Sequence, residues 1–265
     1  MSGAVHADTG VPADQAVLTN KVPEVTFAFW AIKITSTTVG ETGADYLAVH
    51  AGLGVPVTDL IMGTLLIAML GIQLRLRRYV PWAYWTTVVL VSVVGTQITD
   101  FFTDKLEVSL HVSTGAFALL LAVIFAVWYG VERTLSIHAI TTRRRELFYW
   151  SAILLTFALG TASGDLATEA LGLGFNIGVI VFGAAIATVA LAYGLGANAT
   201  LAFWIAYILT RPLGASLGDL LSQSPTYGGL GLGTIVTSSA FLAVIAALVA
   251  ALTFGERRSD LIRQG

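Results

Sequence analysis

The chain has 265 residues, of which 56% are hydrophobic and 11% charged, with a formal net charge of −2, a mean hydropathy of +0.81 and no cysteine. Globular domains carry about 25% charged residues, so this composition excludes an ordinary soluble protein and specifies a membrane protein. The lack of cysteine excludes disulfides and thiolate metal ligands, three methionines offer little to a soft metal, and nothing in the charge balance calls for nucleic acid.

In chain order, residues 1–23 are polar and read as a disordered cytoplasmic tail. Apolar runs follow at roughly 24–49, 54–74, 79–104, 109–129, 146–169, 172–195, 199–222 and 230–254, each near the ~20 residues a helix needs to cross the hydrocarbon. The alternation of a β-barrel is absent, so the expected fold is all-α, a polytopic bundle of eight transmembrane helices. Residues 24–130 carry the first four spans, 131–145 a cytoplasmic connection, 146–254 the last four, and 255–265 a second cytoplasmic tail. Arg75, Arg77 and Arg78, then Arg133 and Arg143–Arg145, then Arg257, Arg258 and Arg263 fall in alternate loops. The positive-inside rule therefore places both termini in the cytoplasm.

One unit recurs four times: a Trp, a Gly ten residues on, and an Asp five residues after that. It reads Trp30, Gly40, Asp45; Trp85, Gly95, Asp100; Trp150, Gly160, Asp165; Trp204, Gly214, Asp219. Each Trp follows another aromatic residue, and each unit precedes a plain apolar run, so the repeat is a pair of spans. Two spans per repeat make the four repeats parallel, which predicts a pseudo-fourfold arrangement. Trp-to-Trp spacings of 55, 65 and 54 residues divide the chain into two halves joined by the 131–145 connection.

Residues four apart share a helix face, so each Asp heads a ladder. The ladders are Lys33, Thr37, Glu41, Asp45; Ser92, Thr96, Asp100, Asp104; Phe157, Thr161, Asp165, Glu169; and Tyr207, Arg211, Ala215, Asp219. Ionisable groups in a membrane face a bundle interior or a cavity. The acids outnumber Lys33, Arg211 and Lys105, so the cavity should attract cations. Carboxylates with Thr37, Thr96 and Thr161 oxygens suit hard cations, with Asp45, Asp100, Asp165 and Asp219 as metal ligands or proton carriers and Glu41, Asp104 and Glu169 beside them. Lys33 and Arg211 are either a built-in cation that gates the empty site or a fixed counter-charge. Asp104 and Glu169 lie near span ends, where a solvated position is equally expected. The Trp residues are interfacial anchors or packing elements, and His50 and His111 surface residues near an ion entrance. Gly40, Gly95, Gly160 and Gly214 allow close helix approach, and with Pro212 they are the expected helix breaks.

The fourfold Trp, Gly, Asp pattern over residues 24–254 resembles a family of bacterial membrane proteins built from four tandem two-helix repeats with a characteristic Trp, described as a repeat of unknown function or an uncharacterised membrane-anchored protein. The resemblance implies the bacterial inner membrane and carries no assigned site residues. The expected function is a secondary transporter, an exporter of a Mn²⁺-like hard cation coupled to protons, with no cofactor and with the bilayer and the cation as partners; homo-oligomer formation stays open. The alternatives are an intramembrane aspartate-dependent enzyme and a sensor or structural partner in which the ladders only hold helices together.

Overall fold

Apolar runs broken by Gly, Pro and short polar turns give eight helices among the described residues, and no strand. They are α1 (Phe27–Asp45), α2 (Val55–Arg75), α3 (Pro81–Asp100), α4 (Leu110–Glu132), α5 (Arg143–Asp165), α6 (Gly174–Gly194), α7 (Ala199–Ser222) and α8 (Thr234–Gln264). The computed structural model describes the backbone of residues 20–45 and 54–264 and the side chains of residues 20–43 and 54–255. Local signals set the ends. Prolines occupy the first turns of α2 and α3, and the side chains of Ser109, Thr142 and Asn198 cap α4, α5 and α7. One π-helical turn each, Phe101–Lys105 and Leu166–Ala170, prolongs α3 and α5 beyond Asp100 and Asp165.

Seven helices are long and apolar enough to cross a membrane, and α1 is not among them. Its Lys33, Glu41 and run of Ser and Thr lower its hydropathy, and these side chains are turned inward: Lys33, Ser36, Thr37, Thr38 and Thr42 are fully buried.

The helices form two layers. α1 packs on α3 and α7, and α5 packs on the same two, so the odd helices close a ring in chain order. Each even helix lies outside, against the odd helix that follows it: α2 on α3, α4 on α5, α6 on α7, and α8 back on α1. The burial matches this division, since 67% of the apolar stretch of α7 is buried against 6% of that of α6. The even helices leave broad apolar faces outward, as lipid requires.

Three sequence expectations need correction. Lys21 and Val22, assigned to the disordered tail, are buried: the Lys21 ammonium donates to the Glu146 carboxylate at 2.5 Å and to the Gln73 carbonyl at 2.7 Å. Burial lowers the pKa of Lys21, and the Glu146 partner opposes that shift. At the other end, α8 runs on to Gln264, past the expected end of the eighth span at 254. Finally, the expected helix breaks at Gly40, Gly95, Gly160, Gly214 and Pro212 are absent, because α1, α3, α5 and α7 run through them without interruption. Pro212 withholds one helix hydrogen bond, while nearby the Thr210 hydroxyl donates to the Tyr207 carbonyl at 2.7 Å.

Candidate functional site: an arginine held by the ring of odd helices

The ring is built from repeated contacts. At its first level the aromatic residue before each Trp meets the Trp of the next repeat: Phe29 with Trp85 at 5.4 Å between ring centres, Tyr84 with Trp150 at 5.5 Å, Tyr149 with Trp204 at 6.2 Å, and Phe203 with Trp30 at 5.8 Å. The Tyr84 and Tyr149 hydroxyls share a hydrogen bond of 2.5 Å. These rings are packing elements, with Trp85, Trp150 and Trp204 all buried.

Ten residues beyond each Trp stands the repeat glycine. Its missing side chain makes room for the residue that lies seven beyond the Trp of the next repeat. Gly40 receives Ser92, Gly95 receives Phe157, Gly160 receives Arg211, and Gly214 receives Thr37. A β-carbon at Gly95 would stand 2.6 Å from that of Phe157, and the other three are tighter. The glycines serve close approach, as the sequence suggests.

One residue further on along each helix stand Glu41, Thr96, Thr161 and Ala215. Arg211 fills this layer. Its guanidinium donates to the Glu41 carboxylate at 2.8 Å, to the Thr161 hydroxyl at 3.0 Å, to the Thr37 carbonyl at 2.5 Å and to the Thr96 hydroxyl. Each of the other three odd helices thus supplies an acceptor to one fully buried cation. A planar fork of five donors is suited to this and an ammonium is not.

Beyond Arg211 the ring turns acidic. Asp165 lies within electrostatic reach of Glu41, Glu169, Asp219 and Asp100. Asp219 is buried and Asp100 and Asp165 half-buried, while Asp104 and Glu169 are exposed in or beside the π-helical turns. Asp45 ends α1, and its side chain lies outside the described residues, as does His50; His111 is exposed. Among the described residues no three His, Asp or Glu stand close enough to hold a metal ion.

Before Arg211, Lys33 is buried without a hydrogen-bond partner. Among the described residues it makes no ion pair with the acids. A cavity of about 610 Å³ lies between α1, α6, α7 and the turn at 136–138, lined by Trp30, Phe203 and Tyr193 and not by Asp100, Asp165 or Asp219.

A model of one repeat family matches residues 28–79, 83–134, 148–195 and 202–258. The chain belongs to the family described as Repeat of Unknown Function (DUF347). No curated protein and no solved structure matches it. Each DUF347 repeat takes in one inner and one outer helix, so each repeat packs its outer helix on its successor. The sequence singles out the Trp, Gly and Asp of the DUF347 repeat and places Thr37, Ser92, Phe157 and Arg211 on the ladders, but it does not show that each enters the glycine notch of a neighbouring repeat, because two hydroxyls, a phenyl ring and a guanidinium follow no common pattern. Lys21 and Glu146 are missed too, since neither sits at a repeated position.

Proposed function

We propose that the protein is a secondary carrier that exchanges a cation for protons through intramembrane carboxylates, with a hard, Mn²⁺-like ion exported from the cytoplasm as the first substrate to test. The observation that carries this reading is Arg211: a fixed cation, bound to Glu41 and to oxygens of all three neighbouring inner helices, at the base of an acidic cluster. A site that holds a tethered cation in the middle of a membrane is a cation site whose resting occupant is the protein's own.

In this reading an incoming cation draws Glu41 away from Arg211. Asp165, Asp219 and Asp100, crowded with like charges, share protons that leave when the cation binds. The four repeats enter the cytoplasmic membrane of a bacterium in the same direction around a pseudo-fourfold axis, with α1 as the eighth span and both termini inside. The cyclic aromatic and glycine contacts support that arrangement. The gathering of Arg75, Arg133 and Arg143–Arg145 where α2 and α4 end and α5 begins supports the orientation. Rocking of the two halves about the 131–145 connection would open the site alternately.

A second reading has its own support: Arg211 is so fully satisfied that it could serve only as a tie between helices, leaving a sensor or structural partner. One experiment separates the two. Purified protein is placed in liposomes with a pH-sensitive dye, and Mn²⁺, Mg²⁺, Ca²⁺, Zn²⁺, Na⁺ and K⁺ are each tested against protons. A carrier gives a proton signal for at least one ion, lost in Asp165→Asn. Silence for every ion from well-folded protein leaves the tie as the better reading.

A further inference from the structure

Lys33 stands one helical turn before Thr37 on α1 and is 0% exposed. Its ammonium has no hydrogen-bond partner among the described residues, nor any ion pair. It lies instead over aromatic faces, 3.8 Å from the centre of the Phe157 ring and 4.2 Å from that of Tyr207. The Phe157 ring also has the Arg211 guanidinium 5.8 Å from its centre, so one aromatic side chain adjoins both buried cations. The Tyr207 ring continues into an aromatic wall, with Phe203 at 5.5 Å and Trp204 at 6.0 Å, toward the Trp end of the ring. Among the described residues the Tyr207 hydroxyl is buried without a hydrogen-bond partner as well.

The two buried cations thus occupy chemically different positions. The guanidinium is held by oxygen atoms, whereas the ammonium is held by ring faces alone. A hard metal ion seeks oxygen and gains little from rings. Ring faces attract the charge of an alkylated ammonium, whose apolar substituent lies against the rings and which is less strongly hydrated than a hard metal ion.

We infer that Phe157 and Tyr207 form an aromatic cage for a substituted ammonium ion, with the Lys33 ammonium as its built-in occupant. In its role the cage rests on the carrier reading, and it adds an organic amine to the hard ion as a cation for the carrier to take. As a binding site it stands by itself. Phe157 is the shared wall between the ammonium position and the oxygen-lined position of Arg211.

The test uses methylammonium as the probe. Lys33→Ala empties the cage and leaves both rings in place. Its thermal midpoint in detergent should rise by about 2–4 °C with millimolar methylammonium chloride and stay level with sodium chloride, and adding Tyr207→Leu should abolish the rise. Equal responses to both salts overturn the cage. Lys33→Ser serves in the same assay should Lys33→Ala not fold. In liposomes, wild-type protein should carry radiolabelled methylammonium, and Tyr207→Leu should carry it about tenfold more slowly. Transport of Mn²⁺ but not methylammonium overturns the inference and leaves the carrier standing. Transport of neither methylammonium nor any of the six ions, with the selective rise in Lys33→Ala, overturns the carrier and leaves the cage.

Discussion

Gly214 of α7 lies so close to Thr37 of α1 that a β-carbon at 214 would meet the threonine hydroxyl. The same threonine gives its carbonyl to Arg211, so the contact sets the spacing of the first and fourth repeats and one acceptor of the central cation. Gly214→Ala should therefore cost about 1–3 kcal/mol, read as a lower unfolding midpoint in detergent. Gly63→Ala, where a β-carbon meets nothing within 4 Å, should be neutral or gain up to about 1 kcal/mol from helix propensity. Equal losses at both positions would mean that the ring does not depend on close approach.

Lys21 and Glu146 form a buried pair at 2.5 Å, joining the segment before α1 to the start of α5. Removing either partner strands the other, so Lys21→Met or Glu146→Leu alone should destabilise by about 3 kcal/mol, and the double variant by less than the sum. Because burial lowers the Lys21 pKa from its usual 10.5, the folded protein sheds this proton before the unfolded chain does. That group's contribution to stability should rise with pH across the window below 10.5, and Lys21→Arg should remove the rise in a pH series of unfolding midpoints.

Arg211→Lys keeps the charge and loses the fork. An ammonium cannot serve Glu41, Thr96, Thr161 and the Thr37 carbonyl together, so the substitution should cost about 2–4 kcal/mol. Thr161→Val, which deletes a single acceptor, should cost about 1–2 kcal/mol. Thermal or denaturant unfolding of both variants measures the difference.

Asp165→Asn replaces a titratable carboxyl crowded by four other acids with a neutral amide. Its unfolding midpoint should rise by about 2–4 °C while cation-driven proton movement is lost, a gain in stability at the expense of function. A fall in the midpoint would show that the carboxylate is a structural partner.

Much of this architecture is legible in the sequence. Hydropathy places every helix, and the spacing of Trp, Gly and Asp marks the inner helices, because residues that face a crowded ring must recur at helical intervals. The ladder rule also brings Thr37, Glu41, Thr96, Thr161 and Arg211 into one list, and the structure joins those five. What the sequence hides is the partner of each glycine. A void constrains the size of what fills it and not its chemistry, so Thr37, Ser92, Phe157 and Arg211 look unrelated along the chain. Lys21 is hidden for another reason: a single lysine in a polar segment is solvated unless a carboxylate distant in sequence reaches it, and Glu146 lies 125 residues away.

The contact between the fourth repeat and the first is made of the same parts as the other three: Phe203 on Trp30, Gly214 on Thr37, α8 on α1. Shape is thus settled by small and aromatic residues that the repeats have in common, and the residue that enters each glycine notch is free to differ. Four corners of one frame carry a hydroxymethyl, a secondary alcohol, a phenyl ring and a guanidinium. A fourfold repeat has in this way an interior whose two ends differ, with aromatic rings and Lys33 on one side of Arg211 and carboxyl groups on the other.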